Sequence, residues 1–125
     1  MSKLPDIICS AWEGREGPPV FATVDKNGDP NAIYVTSIKL LEEGKVVIAN
    51  NFFQKTRANI ASDSKGAVLF ITKEGKSYQL KGSLEYFESG AIYEDMRQWA
   101  DPQYPRVAAA VLNVEEAYSG SGKIS

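Results

Sequence analysis

The sequence predicts a mainly β protein, an antiparallel barrel or curled sheet of about six strands with two or three short helices. Runs rich in β-branched and aromatic residues alternate with glycine-containing turns, which is the pattern of consecutive hairpins. Strands joined by such tight turns must pair antiparallel. The chain has 125 residues, of which 43% are hydrophobic and 24% are charged, so we expect a single domain over residues 1–125.

The first half of the chain contains three predicted strands. Residues 20–24 form a short β-rich run that ends before Asn27 and Gly28. An Asn-Gly pair favours a tight hairpin turn because both residues tolerate a positive φ. Residues 32–41, rich in Ile, Tyr, Val and Thr, are expected to form the second strand. After another turn, the continuous apolar run at residues 46–49 is typical of a strand that is buried on both faces.

The second half of the chain contains the remaining strands. Residues 67–72 and 77–87 flank a glycine-containing turn, and the second of these runs alternates polar and apolar residues with the period of a half-buried strand. Residues 107–114 combine alanines, which favour a helix, with valines, which favour a strand, and we predict a strand. We therefore expect the barrel to occupy residues 18–118 and a flexible tail to occupy residues 119–125.

Two segments lack the strand period and are predicted to be helices. Residues 54–62 carry scattered alanine and isoleucine among polar residues, which fits a short helix. Within residues 89–100, Met96 and Trp99 share one helical face, which favours packing against the sheet. Ser89 is expected to be the N-cap of this second helix.

Two residue counts restrict the chemistry that the chain can perform. It contains no histidine, which excludes Ser-His-Asp and Cys-His hydrolysis together with His-ligated zinc. Its single cysteine, Cys9, excludes an internal disulfide and Cys-rich metal sites, and is typical of a reducing compartment. We therefore predict no metal site and no catalytic side chain. If the chain is an enzyme, a cofactor is expected to supply the reactivity.

Charge and hydropathy limit the partners of the protein. A net charge of −2 argues against a nucleic-acid binder that depends on bulk positive charge. The longest apolar runs fall far short of the ~20 residues that a membrane helix requires. No basic segment followed by an apolar one opens the chain, so export is not indicated. We expect a cytoplasmic protein that binds neither nucleic acid nor membrane.

The segment from residue 44 to residue 62 has a charge pattern that local rules do not favour. It contains no acidic residue, while Lys55 and Arg57 fall in or near the first turn of a predicted helix. Cations at that end oppose the helix dipole, and a bound anion would compensate for them. Such an anion would contact the lysine, the Thr56 hydroxyl and free backbone N–H groups. Alternatively, both cations are solvated residues on a surface helix, and charge alone favours neither interpretation.

Four blocks of the sequence, taken in order, identify a family. They are FATVDKNGDPNAIYVTSIKLLEEGK (residues 21–45), VVIANNFFQKTRANI (46–60), YQLKGSLEYFESG (78–90) and YPRVAAAVLNVEEAY (104–118). Together they resemble the pyridoxamine 5'-phosphate oxidase-like family of FMN-binding split barrels, in particular its short bacterial and archaeal members. The resemblance implies a six-stranded antiparallel split β-barrel with FMN as its cofactor.

The resemblance also implies which residues hold FMN. Lys55 and Thr56 match the pair that binds the FMN phosphate. Residues 49–51 match the strand end that lies along the flavin and its ribityl chain, and residues 35–37 match the segment that lines the isoalloxazine. Tyr104 matches an aromatic residue that approaches the flavin from the partner chain. The residues implied as FMN-binding are Val35, Thr36, Ser37, Ala49, Asn50, Asn51, Lys55, Thr56 and Tyr104.

The resemblance implies a homodimer with FMN in the groove between the subunits. Its implied function is that of a flavoprotein oxidoreductase that acts on an unidentified small molecule or redox partner. Larger oxidases of the family carry extra basic residues for a pyridoxal phosphate substrate, and since this short chain lacks them, vitamin B6 oxidase activity is not expected. Two alternatives remain open: a non-catalytic FMN-binding electron carrier, and a relative that binds another cofactor such as F420 or haem.

Overall fold

The computed structural model describes residues 3–125, which form one antiparallel sheet with three helices packed against it. The helices are α1 (Asp6–Glu13), α2 (Lys55–Ala61) and α3 (Ala91–Trp99). The strands are β1 (Val20–Val24), β2 (Pro30–Tyr34), β3 (Ile38–Leu41), β4 (Lys45–Asn50), β5 (Lys65–Ile71), β6 (Ser77–Phe87), β7 (Ala108–Ser119) and β8 (Gly122–Lys123). None of the helices in this described range is long and apolar enough to cross a membrane.

The strand order leaves a gap between the two edge strands, β2 and β3. The order is β2-β1-β5-β6-β7-β4-β3, with β8 paired to β7, so β2 and β3 lie at opposite edges although they are consecutive in sequence. Residues 35–37, which we name the edge connection, join them. At one edge the Val35 N–H donates to the Pro19 carbonyl (2.9 Å), and at the other the Ala49 N–H donates to the Ser37 carbonyl (2.9 Å). The edge connection therefore crosses the gap between the two edges.

The main hydrophobic core lies inside the curled sheet. Ile38 of the edge strand β3 and Leu80 of the central strand β6 belong to it, and Ile33 of the other edge strand β2 packs against it, so the two ends and the middle of the sheet contribute to one cluster. Because strands from both ends share this cluster, the sheet must curl into a half-closed barrel. Helix α1 adds the buried side chains of Ile8 and Trp12 to the same core. Burial of each such side chain contributes on the order of 2 kcal/mol.

The predicted fold class is confirmed, since the chain is mainly β, its helices are short and its antiparallel sheet curls as a split barrel. One predicted strand, at residues 32–41, is interrupted, so residues 3–125 contain seven strands of four residues or more instead of the predicted six. The cause is topological. The chain leaves one edge of the sheet at Tyr34 and joins the other at Ile38, even though valine and threonine in between favour extended strands.

The buried central strand and the last long strand are also confirmed. All residues in 46–49 are buried, as predicted for a strand covered on both faces. The ambiguous segment at residues 107–114 is a strand, and it continues to Ser119 as β7. The segment predicted as a flexible tail, residues 119–125, turns back and forms β8 against β7.

A β-bulge interrupts the long pairing of β6 with β7. The register shifts between Lys81 and Gly82, and Glu115 of β7 is the extra residue without a partner in the ladder. The two backbones approach closely there, because a Cβ atom on Gly82 would lie 1.8 Å from the Asn113 carbonyl oxygen. Only glycine fits this position without a backbone shift.

The sequence pattern predicted two of the three helices in residues 3–125. The sequence pattern does not predict α1, which starts after Pro5 without a side-chain cap and has eight residues, so core packing must stabilise it. Helices α2 and α3 are confirmed, and the buried Met96 lies on the predicted face of α3. The prediction that Ser89 is the N-cap is wrong. Gly90, with a φ of 94°, occupies that position and no side chain caps the helix.

Candidate cofactor-binding site

A cavity of about 490 Å³ opens beside the edge connection. Its wall consists of β2, the edge connection, the end of β4, the segment that leads into α2, and the loop before β7. We name it the Lys55 cavity, because Lys55 is the charged residue among the described residues that line it. The lining residues are Asn31, Ile33, Tyr34, Val35, Thr36, Ser37, Ala49, Asn51, Phe52, Phe53, Gln54, Lys55, Thr56 and Tyr104.

Eight of the nine residues that the resemblance implies as FMN-binding line the Lys55 cavity. They are Val35, Thr36, Ser37, Ala49, Asn51, Lys55, Thr56 and Tyr104. These residues are distant in sequence, so their convergence depends on the sheet topology, which brings the edge connection beside the end of β4. Their contact with FMN stays a prediction.

Asn50 is the implied residue that does not line the cavity. Only 2% of its surface is exposed. Its amide nitrogen donates to the Tyr86 hydroxyl (2.6 Å), and its amide oxygen accepts from the Phe53 backbone N–H (2.8 Å). Since both ends of the amide are used within the chain, Asn50 holds the turn between β4 and α2 and positions the lining residues that follow it.

The edge connection presents unused hydrogen-bonding groups to the cavity. Its flanking residues are engaged, because Val35 and Ser37 bond to the strands on either side of the gap. Thr36 is exposed, and across residues 3–125 neither its backbone nor its hydroxyl has a hydrogen-bond partner. Thr36 therefore offers a backbone N–H, a carbonyl and a hydroxyl to a ligand.

The positive end of the cavity is formed by the first turn of α2. The helix begins at Lys55, its first turn contains no acidic residue, and the Gln54 side chain makes no capping hydrogen bond. Lys55 is exposed, and none of the ion pairs in the described chain includes it. The neighbouring Thr56 is 2% exposed and its hydroxyl oxygen accepts from the Asn31 amide (3.0 Å). One uncompensated cation beside a hydroxyl favours an anionic ligand.

Arg57, the second cation at the predicted helix start, does not line the Lys55 cavity. Its guanidinium lies 3.4 Å from a Glu88 carboxylate oxygen and 5.3 Å from the centroid of the Tyr86 ring. Arg57 therefore belongs to the surface between α2 and β6, and Lys55 is the cation of the cavity.

Aromatic side chains form part of the rim. The rings of Phe52 and Tyr104 meet edge to face, with their centroids 6.2 Å apart. Asn51 fixes the loop that carries Tyr104, because its amide oxygen accepts from the Arg106 backbone N–H (3.0 Å) and its amide nitrogen donates to Ser37 Oγ (3.4 Å). The resemblance implies an approach of Tyr104 from the partner chain, whereas the structure also places it on the cavity of its own chain.

The implied set omits several lining residues, among them Asn31, Ile33, Tyr34 and Gln54. The sequence contains a signal that could have identified Asn31 and Ile33. Asn31, Ile33 and Val35 occupy alternate positions, so an extended chain places all three on one face. No local pattern marks Tyr34 or Gln54, because their position at the cavity depends on contacts between distant segments.

The chain is similar to known proteins both in sequence and in fold. The sequence profile described as pyridoxamine 5'-phosphate oxidase matches residues 13–120. An uncharacterised protein of Methanocaldococcus jannaschii is 35% identical over 103 residues, which cover 78% of this chain and 69% of that protein. The crystal structure of HupZ from Group A Streptococcus has a TM-score of 0.84 at 25% identity and covers 98% of both chains. An FMN-binding protein of Syntrophomonas wolfei has a TM-score of 0.73 at 16% identity, covering 90% of this chain and 82% of that one.

The profile match includes every segment that lines the Lys55 cavity, from β2 to the loop before β7. The M. jannaschii relative covers most of the chain at an identity that indicates common descent. The profile match points to the family that the sequence blocks resemble. The chain therefore belongs to the pyridoxamine 5'-phosphate oxidase family of split-barrel proteins.

Proposed function

We propose that this chain binds FMN in the Lys55 cavity and functions as a homodimeric flavoprotein oxidoreductase. One observation carries the proposal: eight residues that a resemblance to FMN-binding proteins implies as ligands line a single cavity, and the charged residue of that cavity is a lysine. The similar fold of the S. wolfei protein, which is described as FMN-binding, supports the same ligand for this chain.

The end of the cavity at α2 suits the phosphate of FMN. A phosphate carries between one and two negative charges at neutral pH and accepts hydrogen bonds through its oxygens. The Lys55 ammonium and the Thr56 hydroxyl are suitable donors, and hydrogen bonds between ionised groups are roughly twice as strong as neutral ones. No acidic side chain of the described range lines the cavity and opposes the anion.

The remaining wall suits a flat, largely apolar ring. Val35, Ala49 and Phe53 supply apolar surface, and Thr36 supplies free hydrogen-bonding groups. The volume of about 490 Å³ lies within the range of roughly 300–1,000 Å³ that is typical of small-molecule sites. Bound FMN would supply electron-transfer chemistry, while the chain orients the ring, shields it from water and donates hydrogen bonds to it.

The exposed aromatic residues at the cavity mouth support the dimer. Tyr34 is 74% exposed, Phe52 is 73% exposed and Tyr104 is 41% exposed. Large aromatic side chains that cluster on a surface are typical of protein interfaces. We propose that a second copy of the chain covers these residues and closes the open side of the cavity, so that dimer formation removes water from the bound ring.

Replacing Tyr34 by aspartate is expected to weaken the dimer by at least about 30-fold, because loss of a buried interface tyrosine commonly costs on the order of 2 kcal/mol or more. Size-exclusion chromatography with light scattering measures the molecular mass. The control is Ile7→Asp, which adds the same charge at a 53% exposed residue of α1, and it is expected to leave the mass unchanged. A wild-type chain that is monomeric with FMN bound would contradict the proposed dimer.

The visible absorption spectrum of the purified protein tests the cofactor. We expect a two-banded flavin spectrum and, after heating, the release of about one FMN per chain, identified by mass spectrometry. Steady-state oxidation of NADH or NADPH then tests the oxidoreductase activity. Turnover with an added acceptor is the expected result, whereas a flavin that stays reduced without turnover would indicate an electron carrier.

Other spectra would contradict the proposal in different ways. A deazaflavin or haem spectrum would overturn FMN as the ligand and leave the cavity as a cofactor site. A colourless protein that takes up no added FMN would overturn cofactor binding altogether, and Lys55 and Thr56 would then be ordinary residues of a surface helix.

A further inference from the structure

Two hydrogen bonds of the same type join α2 to the first hairpin. Asn31 of β2 donates from its amide to Thr56 Oγ1 (3.0 Å), and Asn59 of α2 donates from its amide to Thr23 Oγ1 (2.9 Å). Thr23 and Asn31 are direct cross-strand neighbours, and Thr56 and Asn59 are three positions apart on one helix face. Each bond thus joins an asparagine donor to a threonine acceptor, one from strand to helix and the other from helix to strand.

The surroundings of the two bonds differ. Asn31 and Thr56 line the Lys55 cavity, whereas Thr23 and Asn59 do not. Thr23 and Asn59 are both buried, at 4% and 5% exposed, so their bond lies in the interior, whereas Asn31 in the other pair is only half-buried. The interior bond, between Asn59 and Thr23, therefore holds α2 against the hairpin. The cavity bond, between Asn31 and Thr56, does the same and also lies where a ligand would bind.

The direction of the cavity bond determines what the Thr56 hydroxyl can do. A threonine hydroxyl has one proton to donate and two lone pairs with which to accept. Because Thr56 Oγ1 accepts from the Asn31 amide, its proton remains available for another acceptor. Without Asn31 the hydroxyl is free to rotate away from the cavity and to donate to another nearby acceptor, so its direction is no longer fixed.

We propose that Asn31 is a positioning residue that holds the Thr56 hydroxyl as a donor toward the phosphate of the bound flavin. This inference rests on the proposed function, since the phosphate is that of FMN. Asn31 thereby adds to the selectivity that Lys55 gives the cavity for a phosphorylated flavin over its dephosphorylated form, without carrying charge itself.

The test compares the affinities of the apoprotein for FMN and for riboflavin, which lacks the phosphate, by flavin fluorescence titration. Asn31→Ala is expected to weaken FMN binding about tenfold, equivalent to ~1.4 kcal/mol, and to leave riboflavin binding unchanged. Asn31→Asp is nearly isosteric and is expected to weaken FMN binding further. Its carboxylate accepts a hydrogen bond from the Thr56 hydroxyl, which is then no longer a donor to the phosphate, and its charge repels the phosphate. Asn59→Ala is the matched control, and it is expected to lower the urea midpoint while the ratio of the two affinities stays as in wild type.

The outcomes separate the two proposals. If both Asn31 variants keep the wild-type ratio of FMN to riboflavin affinity within about twofold, the positioning role is overturned while FMN binding stands. If Asn59→Ala changes the ratio as much as Asn31→Ala does, the effect is a general loosening of α2, and the positioning role is again overturned. A wild-type chain that binds neither flavin overturns the proposed function itself.

Discussion

Replacing Lys55 by alanine is expected to weaken FMN binding by about 10- to 100-fold, because a hydrogen bond to a charged group contributes about 1.5–3 kcal/mol. The effect is large because the cavity has no second charged side chain, within the described residues, to take over from Lys55. Isothermal titration calorimetry measures the loss directly. Riboflavin is expected to bind the variant and the wild type equally, since it carries no phosphate.

Arg57→Ala is the matched control for this prediction. It removes a cation from the same helix, but one whose guanidinium faces Glu88 and Tyr86. Because Arg57 is exposed and outside the cavity, we expect its removal to change the FMN affinity by less than about threefold. The opposite result, a large loss with Arg57→Ala and none with Lys55→Ala, would place the phosphate on the other side of α2.

Replacing Gly82 by alanine is expected to have the largest effect on stability, at least ~3 kcal/mol of the free energy of unfolding. The added Cβ would lie 1.8 Å from the Asn113 carbonyl oxygen and 2.8 Å from the Asn113 carbonyl carbon. These are backbone atoms of a paired strand, so relief requires that β6 and β7 separate at the bulge. The change in the free energy of unfolding is measured by urea denaturation monitored by circular dichroism. If the variant does not fold, the expected result is a low yield of soluble protein.

Two other glycines serve as graded controls for this prediction. At Gly66 an added Cβ would meet a Leu84 methyl group at 2.9 Å, and because that side chain can rotate, we expect a cost of about 1 kcal/mol. At Gly122 the nearest atom, the Ser119 carbonyl oxygen, is 3.6 Å away, and no change is expected. A Gly82→Ala variant no less stable than Gly66→Ala would show that the bulge relaxes easily and contradict the prediction.

Turn chemistry and hydrophobic periodicity were sufficient to predict most of the sheet. The Asn-Gly turn holds because Gly28 adopts a φ of 88°, a conformation that few other residues tolerate. The apolar run at residues 46–49 is buried on both faces because β4 lies between β3 and β7 while the core and α3 cover its two sides. The break at residues 35–37 could not be predicted, because the closure of a sheet depends on strand order rather than on local propensity.

Local sequence patterns identified part of the candidate site, and the rest depends on contacts between segments that are distant in sequence. Lys55 stood out because a cation replaces the acidic residue expected in the first turn of a helix, a local signal that the structure retains. Arg57 carried the same signal but faces Glu88, and only the packing of α2 against β6 separates the two cations. The alternation of strand residues could have placed Asn31 on the cavity face, but no local pattern indicates its hydrogen bond to Thr56, which is 25 positions away in the sequence.

The edge connection also limits the width of the barrel. Three residues join the two edges of the sheet covalently, so four residue steps separate Tyr34 from Ile38, and these reach about 13–14 Å when fully extended. The gap therefore cannot widen beyond that span unless β2 or β3 leaves the sheet. Insertion of a single residue at this point would enlarge the gap while it preserves the register of every strand. The length of the edge connection thus sets an upper limit on the width of the neighbouring cavity, and a change in that length is a simple way for related barrels to accommodate larger or smaller ligands.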